Sequence, residues 1–183
     1  MFEHVGVRIR PVEEFDLEQM VELRADPSVW MNLGNIEMIS LRAQKEWFEH
    51  MLSNTRAHYY ILCTAEINFI GIVRTDEIDY INGSIRVGGD ILPKYQRQGY
   101  GRRMLELLKK CCFDYLNMNR IWLLVLETNH TAIRLYRKVG FIEEGRQRQG
   151  IYRDDRYIDY IMMSMLKSEY VKTRRDVRGH HLT

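Results

Sequence analysis

The sequence predicts a mixed α/β fold in which a central, mostly antiparallel, twisted sheet of about seven strands is flanked by about four helices. The apolar pattern switches several times between the period of about two residues typical of strands and the period of about 3.6 typical of helices. The order of the segments, β-α-α-β-β-β-α-β-α-β-β, mixes hairpins with crossovers. The length of 183 residues fits one domain of ordinary size. The hydrophobic content of 45% is enough for that domain to form its own core.

The first third of the chain predicts one strand and two helices. Residues 7–9 alternate apolar and arginine side chains and are followed by Pro11, which indicates a strand. Asp16 is a candidate N-cap for the first helix, which should stop near Asp26 because a residue before proline avoids the helical region. Ser40 is a candidate cap for a second helix with Ala43, Trp47, Met51 and Leu52 on one face.

Three strands are predicted in the middle of the chain. Residues 58–64 and 69–74 form a strand pair, and Asn82 with Gly83 is a strong hairpin signal. In the strand that follows, Ile85, Val87 and Ile91 alternate with polar residues. The glycines at 88–89 inside it indicate a bulge or a close backbone approach.

The last third predicts a buried strand, a helix and two more strands. Residues 121–126 form a continuous apolar run, as in a strand buried on both faces. Asn129 can cap the next helix, and Gly140 ends it as a C′ residue would. The final strands are predicted around residues 141–149 and Arg156–Leu166.

The composition excludes several classes of protein. The formal net charge of +2 is too near balance to indicate a nucleic-acid partner. No apolar stretch of about 18 residues indicates a membrane span, and the first residues do not follow the pattern of a signal peptide. The three cysteines, Cys63, Cys111 and Cys112, have neither the even count of a disulfide framework nor a zinc-site spacing. We therefore expect a cytoplasmic protein without a metal.

The domain organisation is predicted to be simple. No repeat, low-complexity tract or linker divides the chain, so residues 1–168 are assigned to a single domain. Residues 169–183 carry Lys172, Arg174, Arg175 and Arg178 and are predicted to form a basic, flexible tail.

A glycine-bearing loop between a strand and a helix is the first segment with chemical potential. It runs through residues 96–103, with sequence Gln-Arg-Gln-Gly-Tyr-Gly-Arg-Arg. Free N–H groups and the positive end of a helix favour anions there, and glycines let the backbone approach a phosphate closely. The segment lacks the Gly-Lys-Ser/Thr of a Walker loop, and Met104 replaces the third glycine of a dinucleotide loop. Alone, it is equally consistent with an ordinary strand–helix turn.

The second segment spans residues 129–141. Asn129 at the helix start is suited to capping the helix or to binding an amide of a ligand. Tyr136 lies two turns further along the same face, and its phenol, with a pKa near 10, is able to donate a proton to a leaving thiolate. By itself this segment fits a cap and a core tyrosine just as well.

Together the two segments resemble the GNAT superfamily of acetyltransferases. Within it, the chain is most similar to the branch of ribosomal-protein N-terminal, amino-sugar and polyamine acetyltransferases. The resemblance is carried by residues 91–101, by residues 127–141, and by the later residues 143–146 and 157–159 with Met162.

The resemblance implies an acetyl-CoA-dependent N-acetyltransferase that needs no metal and has a possible homodimeric state. The family's pyrophosphate loop corresponds to residues 96–102, and the pantetheine arm would meet main-chain groups of residues 89–92. Tyr136 matches the tyrosine that faces the thioester sulfur. The implied cofactor-binding residues are Ile91, Leu92, Gln96, Arg97, Gln98, Gly99, Gly101, Arg102 and Asn129.

The resemblance does not assign the general base directly. Many relatives carry a glutamate at the position of Arg86, so that assignment fails here. Glu127 and Asp90 are the remaining candidates, and we select Glu127 as the catalytic residue beside Tyr136. A solvated or structural role is open for both carboxylates. An acceptor with a low amine pKa would also need no base.

The acceptor-binding residues are expected in two loops. Residues 30–36 offer Trp30 and Asn32, and residues 149–156 offer Tyr152. Three acceptor classes are open: amino sugars, peptide N-termini and polyamines. The arginines near the second loop favour an anionic acceptor such as a nucleotide-linked amino sugar, and they make polyamines the least favoured class. A solvated basic edge balanced by the neighbouring aspartates is the alternative. A non-catalytic acyl-CoA-binding regulator is the alternative function.

Overall fold

A computed structural model describes residues 1–35 and 38–179, and the side chains of these residues except 174–179. The chain divides into two compact units. The first comprises Met1–Ile78 and Val87–Leu108, and the second comprises Asp79–Arg86 and the residues from Lys109 onward. Residues 7–9, 58–63 and 84–91 lie in strands, as the sequence predicts.

The strands form a mixed, mostly antiparallel sheet of eight strands, as the sequence predicts in class. In the described part of the chain, strands β1 to β8 are, in chain order, Phe2–His4, Val7–Pro11, His58–Cys63, Gly71–Asp79, Ser84–Ile91, Arg120–Leu126, Ile142–Arg153 and Arg156–Leu166. Their order in the sheet is β1-β2-β3-β4-β5-β6-β8-β7. The pair β5–β6 is parallel, whereas β1–β2, β2–β3, β3–β4, β6–β8 and β7–β8 are antiparallel. The additional strand is β1, which is too short to produce a pattern.

Six α-helices accompany the sheet in the described part of the chain, two more than predicted. They are α1 Leu17–Ala25, α2 Pro27–Trp30, α3 Leu41–Leu52, α4 Tyr100–Lys110, α5 His130–Lys138 and α6 Lys167–Gly179. The four predicted helices correspond to α1, α3, α4 and α5. A π-helical turn, Cys111–Tyr115, continues α4. The short α2 was missed because it has a single turn after proline.

The start of α1 differs from the prediction. Asp16 is not the side-chain cap of α1, because it closes a short 3₁₀ turn, Glu14–Asp16, directly before the helix. Its carboxylate accepts hydrogen bonds from both terminal nitrogens of Arg10, each at 2.7 Å, and from the N–H of Glu13 at 2.9 Å. The Asp16 side chain is only 2% exposed, and the contact raises the pKa of Arg10. The carboxylate therefore ties β2 to the entry of α1.

Two glycines allow β4 and β5 to approach closely in the first unit. A Cβ on Gly89 would lie 2.5 Å from the carbonyl oxygen of Ile72 and 2.7 Å from the sulfur of Met104 in α4. A Cβ on Gly71 would lie 2.1 Å from the carbonyl oxygen of Asp90. The close backbone approach predicted at residues 88–89 is confirmed, and it lets α4 rest directly on β5.

The other face of this part of the sheet carries an apolar core beneath the first helices. Trp47 and Tyr59 meet edge to face above it, with ring centroids 4.8 Å apart. Burial of these side chains stabilises the packing of the helices on the sheet. The buried members are Val12, Leu17, Met20, Leu23, Val29, Ile61, Phe69, Ile72 and Leu92.

The second unit is built on the central strand β6, which pairs with β8 along Arg120–Leu126. Asn129 caps α5 as predicted, because its side-chain oxygen accepts from the N–H of Ala132 at 3.0 Å. Gly140 follows the helix with a φ of +99°, the left-handed conformation expected of a C′ residue. The buried Lys109 donates to the carbonyl of Val139 at 3.1 Å and so supports the same helix end.

The final hairpin is longer than predicted. Strand β7 continues to Arg153, so residues 149–156 are mostly strand and the turn consists of Asp154 and Asp155. Both turn residues have positive φ, as in a tight hairpin of the primed type. The register of β7 against β8 shifts between Gln147 and Ile151, as at a bulge or another irregularity of the pairing. Sequence reasoning placed a loop here because the polar residues mask the strand pattern.

The predicted boundary of the tail at residue 168 falls inside α6. Tyr170 is buried, its ring stacks on Phe113 at 4.9 Å, and its hydroxyl lies 3.2 Å from a carboxylate oxygen of Asp114. These contacts hold the beginning of the segment against the π-helical turn. Residues 180–183 lie outside the described part of the chain, so the division into one domain and a tail stays a prediction.

Among the residues that the structure describes, no helix has the length and apolar character that a membrane span requires. Within the same residues, no group of three or more His, Cys, Asp or Glu side chains is arranged to hold a metal ion. The cytoplasmic setting stays a prediction.

We predict that Asp16→Ala lowers the free energy of unfolding by about 3–5 kcal/mol, because it leaves the guanidinium of Arg10 without its main partner. Chemical denaturation measures this loss. The control is Glu14→Ala, which breaks an exposed ion pair with Lys45 and should lower stability by less than about 1 kcal/mol. Equal losses in the two variants would contradict the role assigned to Asp16.

Candidate active site

The glycine-bearing loop connects β5 to α4 within the first unit. Strand β5 ends at Ile91, the buried Leu92 follows, and its N–H donates to the carbonyl of Ile70 at 3.0 Å. A single 3₁₀ turn, Pro93–Tyr95, leads into the loop, and α4 starts at Tyr100. The structure thus brings together on one strand–loop–helix unit all the predicted cofactor-binding residues between 91 and 102.

Two glutamine side chains make hydrogen bonds to the backbone of this segment. Gln96 donates its side-chain N–H to the carbonyl of Ile91 at 3.0 Å, and Gln98 donates to the carbonyl of Lys94 at 2.7 Å. Both side-chain amides are therefore engaged with the loop's own backbone. We therefore expect Gln96 and Gln98 to contact an anion through their main chain and not through their side chains.

The backbone of the loop suits a phosphate group. Arg97 and Gly99 have positive φ values of 60° and 84°, and a Cβ on Gly99 would meet no atom within 4 Å. The first hydrogen bond into α4 runs from the N–H of Arg103 to the carbonyl of Gly99 at 3.1 Å. The preceding N–H groups of a helix have no partner within it, and they carry the positive end of the helix dipole. An open surface faced by such groups fits a pyrophosphate.

Side-chain charge adds to this positive potential. Arg97, Arg102 and Arg103 are exposed around the start of α4. The Arg103 guanidinium lies 5.4 Å from the centroid of the Tyr100 ring, and Lys94 lies 5.2 Å from that of Tyr95. Several positive groups at a helix start attract a polyphosphate without a metal ion.

The second predicted segment lies in the second unit. Asn129 uses its side-chain oxygen to cap α5, so one of its two alternatives is present. Tyr136 is half-buried, and its ring centroid lies 5.8 Å from that of Phe141. The N–H of Phe141 also donates to the carbonyl of Tyr136 at 2.9 Å. The Tyr136 ring is therefore held in a defined orientation near the end of the helix.

The carboxylate of Glu127 is occupied at both oxygens. Oε2 accepts from Arg146 at 3.0 Å, and Oε1 accepts from the N–H of Asp159 at 3.2 Å. These contacts join the end of β6 to β7 and β8. The catalytic role selected for Glu127 stays a prediction, and the observed contacts favour the structural role.

The charge of Arg146 is balanced locally. Its guanidinium lies 3.0 Å from Glu127, 3.5 Å from Glu143 and 3.7 Å from Asp159. The sequence predicted that Asp154 and Asp155 balance the positive charge of the arginines near this loop. They do not pair with Arg146, because Arg146 lies in β7 several residues before the turn. The cluster therefore weakens the sequence argument for an anionic acceptor.

The predicted acceptor-binding residues fall in different units. In the first, Trp30 is the half-buried last residue of α2, and the exposed Asn32 donates to the carbonyl of Ser28 at 2.9 Å. In the second, Tyr152 is exposed, with its ring 5.1 Å from Tyr157 and its hydroxyl 3.3 Å from a carboxylate oxygen of Asp155. The substrate-binding roles of Trp30, Asn32 and Tyr152 stay predictions.

A mixed group of charges in the first unit was not recognised as a cluster from the sequence. It consists of Arg24 in α1, Arg74 and Asp76 in β4, and Asp90 in β5, and we call it the inner charge cluster. Arg74 Nε lies 2.9 Å from a carboxylate oxygen of Asp76. The sequence does contain a signal for this cluster, since Arg74 and Asp76 are two residues apart on β4 and therefore share a face of the sheet.

Asp90 stands in an unfavourable place for a charge. It retains some contact with solvent, yet it lies deep among protein atoms, and this burial raises the pKa of its carboxyl. The positive charges of Arg74 and Arg24 oppose the shift without cancelling it. The Nε atom of Arg24 is buried without a hydrogen-bond partner among the described residues.

Comparison with known proteins agrees with this architecture. Residues 7–142 match the family described as acetyltransferase (GNAT) domain. The chain is 27% identical over 163 residues to spermidine N(1)-acetyltransferase of Vibrio cholerae, covering 89% of this chain and 94% of that protein.

Two solved structures from the same organism are similar over nearly the full chain. Spermidine N-acetyltransferase in complex with CoA and spermine has a TM-score of 0.86 and 27% identity, covering 92% of this chain and 99% of the other. A dodecameric structure of spermidine N-acetyltransferase in an intermediate state has a TM-score of 0.79 and 28% identity, covering 91% and 97%.

The chain belongs to the GNAT acetyltransferase family. It is an acetyl-CoA-dependent N-acetyltransferase, which moves an acetyl group to an amine. The resemblance stated from the sequence is confirmed, and so are the fold class and acetyl-CoA as co-substrate.

We predict that Gly99→Glu weakens acetyl-CoA binding by at least about tenfold, or about 1.4 kcal/mol. The new side chain and its negative charge would occupy the surface needed by the pyrophosphate. Calorimetric titration with acetyl-CoA measures the affinity.

Gly6→Glu is the matched control for Gly99→Glu. Gly6 also has a positive φ, and a Cβ there would likewise meet no atom within 4 Å. Both variants should lose about 1–2 kcal/mol of stability through backbone strain, but only the Gly99 variant should lose affinity. An unchanged affinity of Gly99→Glu would place the pyrophosphate elsewhere.

Proposed function

We propose that this enzyme acetylates a primary amine of an aliphatic polyamine of the spermidine type. The similarity over nearly the full length to spermidine N-acetyltransferases, one of them in complex with CoA and spermine, carries this proposal. The proposal differs from the sequence expectation, which preferred amino sugars and peptide N-termini.

The electrostatics of the hairpin support the change of acceptor. The preference for an anionic acceptor depended partly on Arg146, whose charge is balanced by the carboxylates of Glu127, Glu143 and Asp159. A cationic polyamine is therefore not opposed by this residue. The second candidate is an amine that also carries an anionic group, which is the class that the arginines near residues 149–156 favoured from the sequence.

The residues of this chain are proposed to act as follows. The backbone of the loop and the first turn of α4 bind the pyrophosphate of acetyl-CoA, and Ile91 and Leu92 contact the pantetheine arm. The acceptor must present a neutral amine, which for an alkylamine of pKa about 10.4 costs about 4–5 kcal/mol at pH 7. Tyr136 donates a proton to the sulfur that leaves.

The oligomeric state is also a proposal. We infer that the protein self-associates, since a similar spermidine N-acetyltransferase is dodecameric. Strand β7 is an edge of the sheet and is mostly exposed, which leaves its backbone groups accessible to a second copy.

An acceptor panel tests the substrate class. With acetyl-CoA held constant, we expect spermidine and spermine to be acetylated with higher kcat/KM than glucosamine 6-phosphate or peptides with a free N-terminus. Release of CoA thiol measures the rate. A preference for the phosphorylated amino sugar would favour the second candidate and reject the polyamine.

Replacing Tyr136 by Phe is predicted to lower kcat by about 100-fold, because a positioned proton donor is lost. The affinity for acetyl-CoA should stay unchanged, since the ring can still contact Phe141. The exposed Tyr80 provides the control substitution Tyr80→Phe, which should leave both quantities unaltered. A kcat close to that of the unaltered enzyme would remove Tyr136 as the acid.

A further inference from the structure

The inner charge cluster lies on one face of the β4–β5 pair. Successive residues of a strand point to opposite faces, so Asp90 shares a face with Gly88 and not with Gly89. Gly89 faces Met104 of α4, whereas Gly88 faces Arg74, whose nearest nitrogen would be 3.0 Å from a Cβ at that position. The carboxyl of Asp90 therefore points away from α4 toward the side of Arg74.

The cluster is not a fully satisfied ion network. Desolvation of Asp90 outweighs the attraction of Arg74 and Arg24, and the Nε of Arg24 is buried without a partner in the described residues. Buried polar groups are normally paired, because leaving one unpaired destabilises the fold. Such unfavourable charges concentrate at functional sites.

Asp90 also stands next to the strand residues implied in cofactor binding. It directly precedes Ile91 and Leu92, and neighbouring Cα atoms along a chain are about 3.8 Å apart. Its carboxyl is thus within one side-chain length of the backbone that the pantetheine arm is expected to follow. Glu127, by contrast, has both oxygens engaged.

We propose that Asp90 accepts the proton of the acceptor's attacking amine, and that Arg24 and Arg74 disfavour the charged ammonium form of that amine. The inference rests on the proposed function, because it requires a primary amine as acceptor. It makes Asp90 the base in place of Glu127, which the sequence had suggested, and it gives Asp76 no part in the reaction.

The step balances in atoms and charge. The nitrogen lone pair forms the new N–C bond at the thioester carbonyl carbon, and the C–S bond breaks with its electrons moving to sulfur. One proton leaves nitrogen for the Asp90 carboxylate, and one proton reaches sulfur from a general acid. The products are an amide and CoA thiol. Asp90 then releases its proton to solvent, and the acid regains one.

Activity is the first test, with Asp90→Asn compared against Asp76→Asn. Asp76 belongs to the same cluster and pairs with Arg74, so it controls for a general loss of negative charge. We expect Asp90→Asn to lower kcat/KM for spermidine about 100-fold or more and to abolish the acidic limb of its pH profile. Asp76→Asn should keep that limb. A fluorinated spermidine with a lower amine pKa should recover part of the lost rate in Asp90→Asn.

Thermal stability without substrate is the second test. Because burial raises the pKa of Asp90, this carboxyl contributes stability at low pH, and the contribution is lost as the pH rises through its folded-state pKa. Asp90→Asn should therefore have a higher Tm than the unaltered protein at pH 7, and the difference should shrink as the pH falls. A lower Tm at pH 7 together with an unchanged pH profile would make Asp90 a structural ion partner and overturn the proposal.

The outcomes separate this inference from the choice of acceptor. If spermidine is not acetylated but another primary amine of the panel is, the polyamine assignment fails, and the Asp90 comparison is made with that amine. If spermidine is acetylated and Asp90→Asn retains its rate, the polyamine assignment stands and the role of Asp90 is rejected.

Discussion

The close contact between β4 and β5 is the constraint on which the cofactor side of this enzyme depends. A Cβ on Gly71 or on Gly89 would lie 2.1 or 2.5 Å from a backbone oxygen of the neighbouring strand, so neither position tolerates a side chain without movement. Because Gly89 has none, Met104 of α4 can rest on the strand. The start of α4 is thereby fixed relative to the end of β5, and the glycine-bearing loop spans a set distance.

Two arrangements of buried charge in the first unit illustrate different uses of electrostatics. Asp16 accepts paired hydrogen bonds from Arg10, so its burial is compensated and it secures the fold. Asp90 has arginines nearby, but desolvation prevails over their attraction. Proteins retain such destabilising groups where chemistry requires them, and this contrast motivates the catalytic role proposed for Asp90.

Local signals in the sequence predicted much of the fold. Asn129, Ser40 and Gly140 act at the helix ends where the sequence placed them, because caps depend on a few neighbouring residues. Asp16 was misassigned because its partner, Arg10, lies on another element. The inner charge cluster was missed for the same reason, since α1, β4 and β5 meet only in the folded chain. The comparison with relatives changed the proposed acceptor, and the local balance of the Arg146 charge agrees with that change.

Hydrogen exchange of the unaltered protein with and without acetyl-CoA tests most directly whether the loop and the first turn of α4 hold the pyrophosphate. Backbone N–H groups that bind phosphate oxygens exchange more slowly than groups exposed to water. The account predicts slower exchange of the amides of residues 97–102 when acetyl-CoA is bound. Saturating acetyl-CoA that slows exchange elsewhere but leaves these amides unchanged would contradict it.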